Sequence, residues 1–400
     1  MQPTGRTATD KQFSVHLSTA LAFAPVGIIW AFLPIHLYSL NASYTLISLV
    51  SLIPALETIL FSPLWGGLLD KTGRGRQIIL VAILAEAIGF STFPFLTTPE
   101  EFVIVVSLTG IFTASFIPVF SAIATWASPR RYGRAIGGFW IAASLGYGAS
   151  TLLGGIFYEF FSVRYLFILG ALFAFASFVT VIFFTKQGLT SIIAGDGSRG
   201  YVALLRQRNI LTLCAISLVA IVATSAFNGF FTVYLVDSLG TSRLVAGFAA
   251  SATTLLGAVA FRFVGPLNDR VGRKPVFLLG TVGYVLYFLT IFLVSNPVVV
   301  TVLWVLPLYP LVQSSAAALA SDYTSEADRG KGLGLLESAV SLGGGLGPLA
   351  GGLIADRLGL KSVTIFSLAV ALVATVASQF FLKEKLARQT IGTVVQAESP

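Results

Sequence analysis

The chain has 400 residues, of which 56% are hydrophobic and 10% charged, and its mean hydropathy is +0.88. Soluble domains carry about 25% charged residues, so this composition excludes an ordinary water-soluble fold. The formal charge of +8 does not indicate nucleic-acid binding, because the arginines fall in short segments between apolar runs and mark membrane topology instead. One cysteine and two histidines exclude a disulfide framework and are too few for a metal centre built on either residue.

Twelve apolar runs follow one another, each long enough to cross a hydrocarbon core of about 30 Å as a helix. Barrel strands would alternate over about ten residues instead, so we expect an all-α membrane protein. No cleavable signal peptide is expected, because the polar leader at 1–12 runs into a full-length span. The predicted spans are 13–40, 43–69, 77–97, 102–127, 135–161, 163–185, 209–239, 243–268, 275–295, 297–323, 333–355 and 361–382.

Basic residues divide unequally between the two ends of these spans. Twenty of the 25 lie in segments at one end, with both termini; four lie at the other end, and Arg262 lies within a span. We call the first end the basic face and the second the opposite face. The positive-inside rule predicts that the basic face, the termini and the central loop are cytoplasmic, in a multi-pass protein of the plasma membrane surrounded by the lipid bilayer.

The spans form two halves that repeat. Residues 39–43 match 238–242 and residues 66–74 match 265–273 at an offset of 199, and a series of glycines matches at an offset of 197. Such duplication is typical of secondary transporters, whose binding site lies near the membrane midplane between the repeats. The predicted domains are an N-terminal six-helix bundle at 1–185, a cytoplasmic central loop at 186–208, and a C-terminal six-helix bundle with a short tail at 209–400.

The loop between spans 2 and 3 reads Gly-Gly-Leu-Leu-Asp-Lys-Thr-Gly-Arg-Gly-Arg over 66–76, and residues 265–275 repeat it in the second half. The second copy matches the signature given next more closely than the first copy does. The loop resembles the signature of the major facilitator superfamily, Gly-x-Leu-x-Asp-(Arg/Lys)-x-Gly-Arg-(Arg/Lys), and the resemblance extends over the whole chain in span number, loop lengths and repeat. The first copy departs at Gly75, where a base is usual and Arg76 stands next. The resemblance implies two pseudo-symmetric six-helix bundles, the MFS fold, and transport by alternating access.

In the superfamily this cluster holds the halves together on the cytoplasmic side when the transporter opens outward. An aspartate can face the positive N-terminal end of another helix, a contact worth about 0.3–1 kcal/mol when exposed. The resemblance implies that Asp70 lies against the start of span 11 and Asp269 against the start of span 5. The alternative is a topology anchor with no part in the transport cycle.

We expect the latch loop of the second half to be held more firmly than that of the first half. Asp322, at the end of span 10, is expected to pair with the arginines of the second loop, whereas the equivalent residue of the first half is Trp126. The predicted latch residues are Gly66, Asp70, Gly73, Arg74, Arg76, Gly265, Asp269, Arg270, Gly272, Arg273, Asp322 and Arg329.

Spaced glycines occur in spans 5 and 11. In span 11 they resemble the antiporter signature of the superfamily, which normally marks span 5, where this chain has Ser150 and Thr151 in place of Gly-Pro. Close helix packing explains them at least as well, so export is favoured only slightly over uptake. The candidate packing residues are Gly146, Gly154, Gly343, Gly347, Pro348 and Gly351.

Two carboxyl groups are predicted at membrane depth, where a charge costs about 2.5–3.5 kcal/mol and requires a reason. Glu57, in span 2 between Pro54 and Pro63, is the better candidate for proton coupling, and Glu86 in span 3 the weaker. A protonated packing residue is the alternative. In the superfamily, spans 1, 4, 7 and 10 line the cavity, and the candidate substrate contacts there are Trp30, Asn228, Phe231, Tyr309 and Gln313.

The sequence shows no catalytic constellation, metal-binding cluster or phosphate-binding loop, so we expect neither an enzyme nor an ATP-driven pump, and no cofactor. We predict a secondary active transporter that acts as a monomer, with a small-molecule substrate and protons as its partners. The first hypothesis is proton-coupled export of a drug-like or amphipathic compound. Proton-coupled uptake of a neutral nutrient such as a sugar, and a non-transporting sensor of transporter fold, stay open.

Overall fold

The computed structural model describes residues 8–127, 132–184, 201–325 and 328–384. Every regular element in these ranges is helical, and twelve helices are long and apolar enough to cross a membrane. The predicted all-α fold of twelve spans in two six-helix halves is confirmed. Residues 186–200 of the predicted central loop lie outside the described ranges, and a short helix, Tyr201–Leu205, precedes span 7.

Span bounds follow the apolar runs closely. In the first half the spans are Ala8–Ser39, Tyr44–Thr72, Gly75–Thr92, Pro99–Thr113 with Phe116–Ala127, Tyr132–Phe160 and Val163–Phe184. In the second half they are Arg208–Asn228 with Phe231–Val233 and Tyr234–Ser238, Arg243–Val271, Arg273–Leu293, Pro297–Val305 with Tyr309–Tyr323, Arg329–Leu358 and Leu360–Phe381. Spans 4, 7 and 10 are therefore interrupted, which the apolar runs did not predict.

Local sequence explains how equivalent spans begin and end. The hydroxyl groups of Ser43 and Ser242 accept hydrogen bonds from backbone N–H groups three residues on, at 3.1 and 3.3 Å, and so cap spans 2 and 8. Gly73 ends span 2 at φ 62°, a left-handed conformation that lets its N–H bond the carbonyl of Leu69 at 2.7 Å. The repeat is therefore visible in the caps as well as in the spans.

Each half is built around its first span. Span 1 packs against spans 5 and 6, and span 7 packs in the same way against spans 11 and 12. A Cβ at Gly146 would overlap the carbonyl of Ala20 in span 1, and one at Gly343 would lie 2.8 Å from the carbonyl oxygen of Leu218 in span 7. The other candidate packing residues lie in the same two contacts: Gly154, Gly347, Pro348 and Gly351. These six residues thus bring helices together within each half.

The buried core shows where the two halves meet. One large cluster of buried apolar side chains draws on both halves near the opposite face, with Phe32 from the first and Phe227 from the second. Toward the basic face the core divides into one cluster around Phe120 and another around Phe277. The halves are therefore joined at the opposite face and separate toward the basic face.

Candidate functional site

Two pairs of antiparallel helices form the main contact between the halves: spans 2 and 11, and spans 5 and 8. Near the opposite face both pairs are in close contact. A Cβ at Gly247 of span 8 would lie 2.7 Å from the Cα of Gly155 in span 5, and a Cβ at Gly352 would lie 2.6 Å from the carbonyl oxygen of Tyr44. The Tyr44 ring also meets Phe230 of the second half edge-on, with ring centroids 5.6 Å apart. The halves are closed at this face.

A carboxylate from each half caps a helix of the other half at this face. Asp356, near the end of span 11, accepts hydrogen bonds from the backbone N–H groups of Tyr44 at 2.6 Å and Thr45 at 2.9 Å, and from the Thr45 hydroxyl at 2.6 Å. Glu159, near the end of span 5, accepts one from the backbone N–H of Arg243 at 2.8 Å. Helix N-termini carry unpaired N–H groups and partial positive charge, so these contacts are favourable. We call them the opposite-face clamps.

The two clamps occupy equivalent positions of the repeat. Glu159 and Asp356 are 197 residues apart, the offset of the glycine series. Neither acid was predicted, because an acid at the end of a span is commonly a solvated polar residue. The available signal was a pair of repeat-equivalent acids on a face with few bases, opposite helix starts marked by Ser43 and Ser242.

At the basic face the same helix pairs are apart. A Cβ at Gly66, Gly265 or Gly334 would meet no described atom within 4 Å. Asp70 and Asp269 are exposed, and neither has an ion-pair or hydrogen-bond partner among the described residues. The predicted contacts of these aspartates with the starts of spans 11 and 5 are therefore not seen among the residues that the structure describes. The latch was predicted for a state closed at the basic face, and this structure is open there, so the latch stays a prediction.

Replacing Asp70 by asparagine is expected to leave this open conformation intact and to weaken the one closed at the basic face. A carboxylate at an exposed helix N-terminus contributes about 0.3–1 kcal/mol, so the ratio of the two conformations should shift roughly two- to five-fold toward the open state. Distances between spin labels on the basic-face ends of spans 2 and 11 would measure the shift. An unchanged distance distribution would make the motif a topology anchor only.

The basic-face loop of the second half is tied to its own helices. Arg273 forms an ion pair with Asp322 at the end of span 10, the partner expected from the sequence. Glu384, just after span 12, accepts hydrogen bonds from the backbone N–H groups of Arg273 at 2.9 Å and Lys274 at 2.8 Å. The Lys274 ammonium donates to the carbonyl of Gln379 in span 12 at 2.7 Å. This cluster keeps the loop docked while the face is open.

The first half has a partial equivalent. The Arg76 guanidinium donates to the carbonyls of Val181 at 3.3 Å and Ile182 at 2.7 Å, near the end of span 6. Arg76 thus bonds to span 6 in the way that Lys274 bonds to span 12. It compensates for the base that is usual in the motif at position 75, where this chain has glycine. The side chain of Trp126 lies outside the described set. Among the other latch candidates, Gly272 is a turn residue at φ 103°, and the side chains of Arg74, Arg270 and Arg329 are exposed.

A cavity of about 210 Å³ lies within the second half, among spans 7, 8, 9 and 10. Two of these helices are interrupted beside it: span 7 between Asn228 and Phe231, and span 10 between Val305 and Tyr309. The interruption of span 10 leaves the carbonyl of Trp304 free to accept the Thr253 hydroxyl of span 8 at 3.1 Å. Discontinuous helices near the midplane are where secondary transporters hold their substrates.

Three of the five predicted substrate contacts, Asn228, Tyr309 and Gln313, line this cavity. Phe231 is buried and stacks on Trp304, with ring centroids 3.6 Å apart, so it supports the wall from behind. Trp30 lies in span 1 of the other half and is 45% exposed. The other polar or aromatic side chains of the lining, which the sequence did not single out, are Thr224, Thr253, Tyr284, Tyr287 and Trp304.

Glu57 lies midway along span 2 in a narrow slot of the first half. It is buried, its Oε2 has no hydrogen-bond partner among the described residues, and a Cβ at Gly110 of span 4 would overlap it. Span 4 is interrupted nearby, and its Ile111 carbonyl accepts the indole N–H of Trp65 at 2.7 Å. Glu86 in span 3 is buried as well, with an Oε2 that has no partner in the described part of the chain.

The profile of the MFS_1 like family matches residues 16–367. The chain belongs to the major facilitator superfamily. It is 25% identical over 390 residues to the multidrug resistance protein MdtG of Proteus mirabilis, across 92% of this chain and 95% of that protein. It is 26% identical over 358 residues to a multi-drug resistance efflux pump PmrA homolog of Lactococcus lactis, across 85% and 86%.

Solved structures of other transporters share the fold. The nucleoside transporter NupG superposes with a TM-score of 0.78 at 15% identity, over 93% of this chain and 98% of that one. A bacterial homolog of the human lysosomal transporter Spinster, in an inward-facing and occupied conformation, gives 0.79 at 12% identity over 94% and 97%. This superfamily member is a multi-pass transporter of the plasma membrane that acts on a small molecule, and it is not an enzyme.

Proposed function

We propose that this transporter exports a small amphipathic or drug-like compound from the cytoplasm, driven by protons moving inward, and that it works as a monomer. The observation that carries this proposal is its similarity to MdtG and to a PmrA homolog, proteins named for multidrug resistance and efflux, over most of each chain. The weak antiporter-like glycine pattern of span 11 agrees with export.

The observed conformation fits the loading step of such a cycle. If the basic face is cytoplasmic, as the distribution of lysine and arginine predicts, the structure is open to the cytoplasm and closed to the outside by the clamps at Asp356 and Glu159. A compound would reach the cavity of the second half from the cytoplasm. Closure of the latch at Asp70 and Asp269, with release of the clamps, would then expose it to the outside.

Glu57 is our candidate for the proton site. An unpaired charge at this depth costs about 2.5–3.5 kcal/mol, so we infer that the carboxyl group is protonated in the observed conformation. The slot against Gly110 lies between spans 2 and 4, and span 2 also belongs to the contact between the halves. Gain or loss of the proton can therefore bias the movement of span 2 against span 11. Glu86 is the second candidate.

Proton-coupled uptake of a neutral nutrient such as a sugar is the second candidate function. The uncharged lining of the cavity favours it, since Asn228, Gln313 and two threonines offer amide and hydroxyl groups. Such groups can hold a neutral solute in either direction of transport.

Reconstituted vesicles with an imposed pH gradient test both functions. Export predicts that chloramphenicol accumulates in vesicles with an acidic lumen, and that nigericin abolishes the accumulation. Uptake predicts instead that D-glucose accumulates in vesicles with an alkaline lumen. Protein-free vesicles are the control. Gradient-independent distribution of both compounds would contradict coupled transport and favour a sensor role.

A further inference from the structure

Three polar atoms on the residues that line the cavity of the second half lack partners. They are Asn228 Oδ1, the Tyr287 hydroxyl and Trp304 Nε1, and each is buried without a hydrogen-bond partner among the described residues. Most buried polar side-chain atoms in native proteins are paired, so three unpaired ones around a single cavity require an explanation. Complementary polar groups on a ligand would supply the missing partners.

The lining limits the charge of that ligand. None of the described residues that line the cavity is charged. A charged ligand would lose its hydration without meeting an opposite charge, which is costly in a largely apolar site. A neutral ligand with hydrogen-bonding groups loses less and gains bonds to the unpaired atoms.

The volume and the aromatic walls limit its shape. Pockets for drug-sized ligands usually have about 300–1,000 Å³, so a cavity of about 210 Å³ has room for one small ring system. Tyr284, Tyr287, Trp304 and Tyr309 present aromatic side chains around it, and Trp304 is held in place by its stack on Phe231. Aromatic side chains favour planar rings in offset-stacked or edge-on contact.

We propose that this cavity, formed by the second half alone, is the subsite that recognises an uncharged planar ring carrying both a hydrogen-bond donor and an acceptor. An aromatic carboxamide is the simplest such group: its oxygen accepts from the indole of Trp304, and its N–H groups donate to the Asn228 amide oxygen or the Tyr287 hydroxyl. The inference rests on the proposed export of a small organic compound. The uncharged ring is the part of that compound which the cavity would recognise.

Binding to the purified full chain in detergent, with no gradient present, tests this subsite. The probes are nicotinamide, its cationic analogue 1-methylnicotinamide, its anionic analogue nicotinate, and the non-planar amide cyclohexanecarboxamide. Titration by saturation-transfer NMR should show nicotinamide binding at least ten-fold more tightly than either charged analogue and several-fold more tightly than the non-planar amide. No binding of nicotinamide, or equal affinity for the neutral and charged probes, overturns the proposal.

Variants assign the binding to the cavity. Tyr287→Phe and Asn228→Leu remove one polar group each at nearly constant volume, and each should weaken nicotinamide binding about three- to ten-fold, as expected for loss of a neutral hydrogen bond. Tyr165→Phe removes a hydroxyl at an exposed position of span 6 and should change nothing. Unchanged affinity in both cavity variants, with thermal stability retained, overturns the proposal. The binding test is independent of transport, so the two failures can be told apart. Unchanged nicotinamide affinity in both variants, with chloramphenicol export by the parent protein, would refute the subsite and leave the export function standing.

Discussion

Replacing Asp356 by asparagine and Glu159 by glutamine together is expected to open the opposite face of the transporter. Each substitution removes the charge from a carboxylate that caps the first backbone N–H groups of a helix in the other half. Hydrogen bonds to charged groups contribute about 1.5–3 kcal/mol, and exposure at the membrane surface reduces this to roughly 1 kcal/mol per clamp. The clamps share no partners, so their contributions should add to about 2 kcal/mol, roughly a thirty-fold change in the conformational ratio.

Spin-label distances would measure this change. Phe95, three residues after span 3, and Leu293, the last residue of span 9, are exposed at the opposite face. Labels attached through Phe95→Cys and Leu293→Cys, with Cys214→Ala, would report the separation of the halves. We expect a longer-distance population to grow in each single variant and to dominate in the double variant. Glu100→Gln removes an exposed carboxylate at the same face and is the matched control. A double variant with the distance distribution of the parent would show that the clamps do not hold the face closed.

The clamps and the predicted latch use the same physical contact at opposite ends of the same helix pairs. In the pair of spans 2 and 11, Asp356 near the end of span 11 caps the start of span 2. The predicted latch would place Asp70, at the end of span 2, against the start of span 11. The two helices still touch between these ends, where a Cβ at Gly345 would lie 2.9 Å from that of Ala55. Rocking about that contact would form one cap as the other breaks. Asp70→Asn and Asp356→Asn should therefore shift the population in opposite directions.

Features encoded locally could be predicted from the sequence. The twelve spans follow from the lengths of the apolar runs, and the ion pair of Asp322 with Arg273 follows from the position of an acid beside a basic loop. The burial of Glu57 at mid-span also follows from its position. The slot that Gly110 provides does not, because no local pattern shows which face of span 4 meets span 2.

Features that depend on how distant spans meet could not be predicted. Tyr287 and Trp304 lie in apolar aromatic runs that look like ordinary packing residues, and only the folded chain shows their polar atoms buried without described partners around a cavity. The sequence also could not predict that the basic face is open in this structure, because one sequence encodes both conformations. The motif around Asp70 is the same in every conformation, whereas its predicted contact with the start of span 11 is expected in only one of them.

Glu57→Gln is expected to abolish proton-driven accumulation and to retain exchange of the transported compound. The amide has the shape of a protonated carboxyl group, so it should fit the slot against Gly110, but it can neither release nor take up a proton. With one proton per compound, a gradient of one pH unit supports at most about ten-fold accumulation, since ten-fold corresponds to about 1.4 kcal/mol. The variant should reach a ratio of about one, measured with chloramphenicol in vesicles with an acidic lumen, while its counterflow persists.

The position of Glu57 also predicts how coupling works. Glu57 lies in the first half, whereas the residues that line the cavity belong to the second half. The proton would therefore act through the movement of span 2 against span 11, without touching the compound, and Glu57→Gln should leave the affinity for nicotinamide unchanged. Glu100→Gln is the control for loss of a carboxylate. Normal accumulation in Glu57→Gln with loss in Glu86→Gln would move the proton site to span 3, and a large loss of nicotinamide affinity in Glu57→Gln would contradict coupling at a distance.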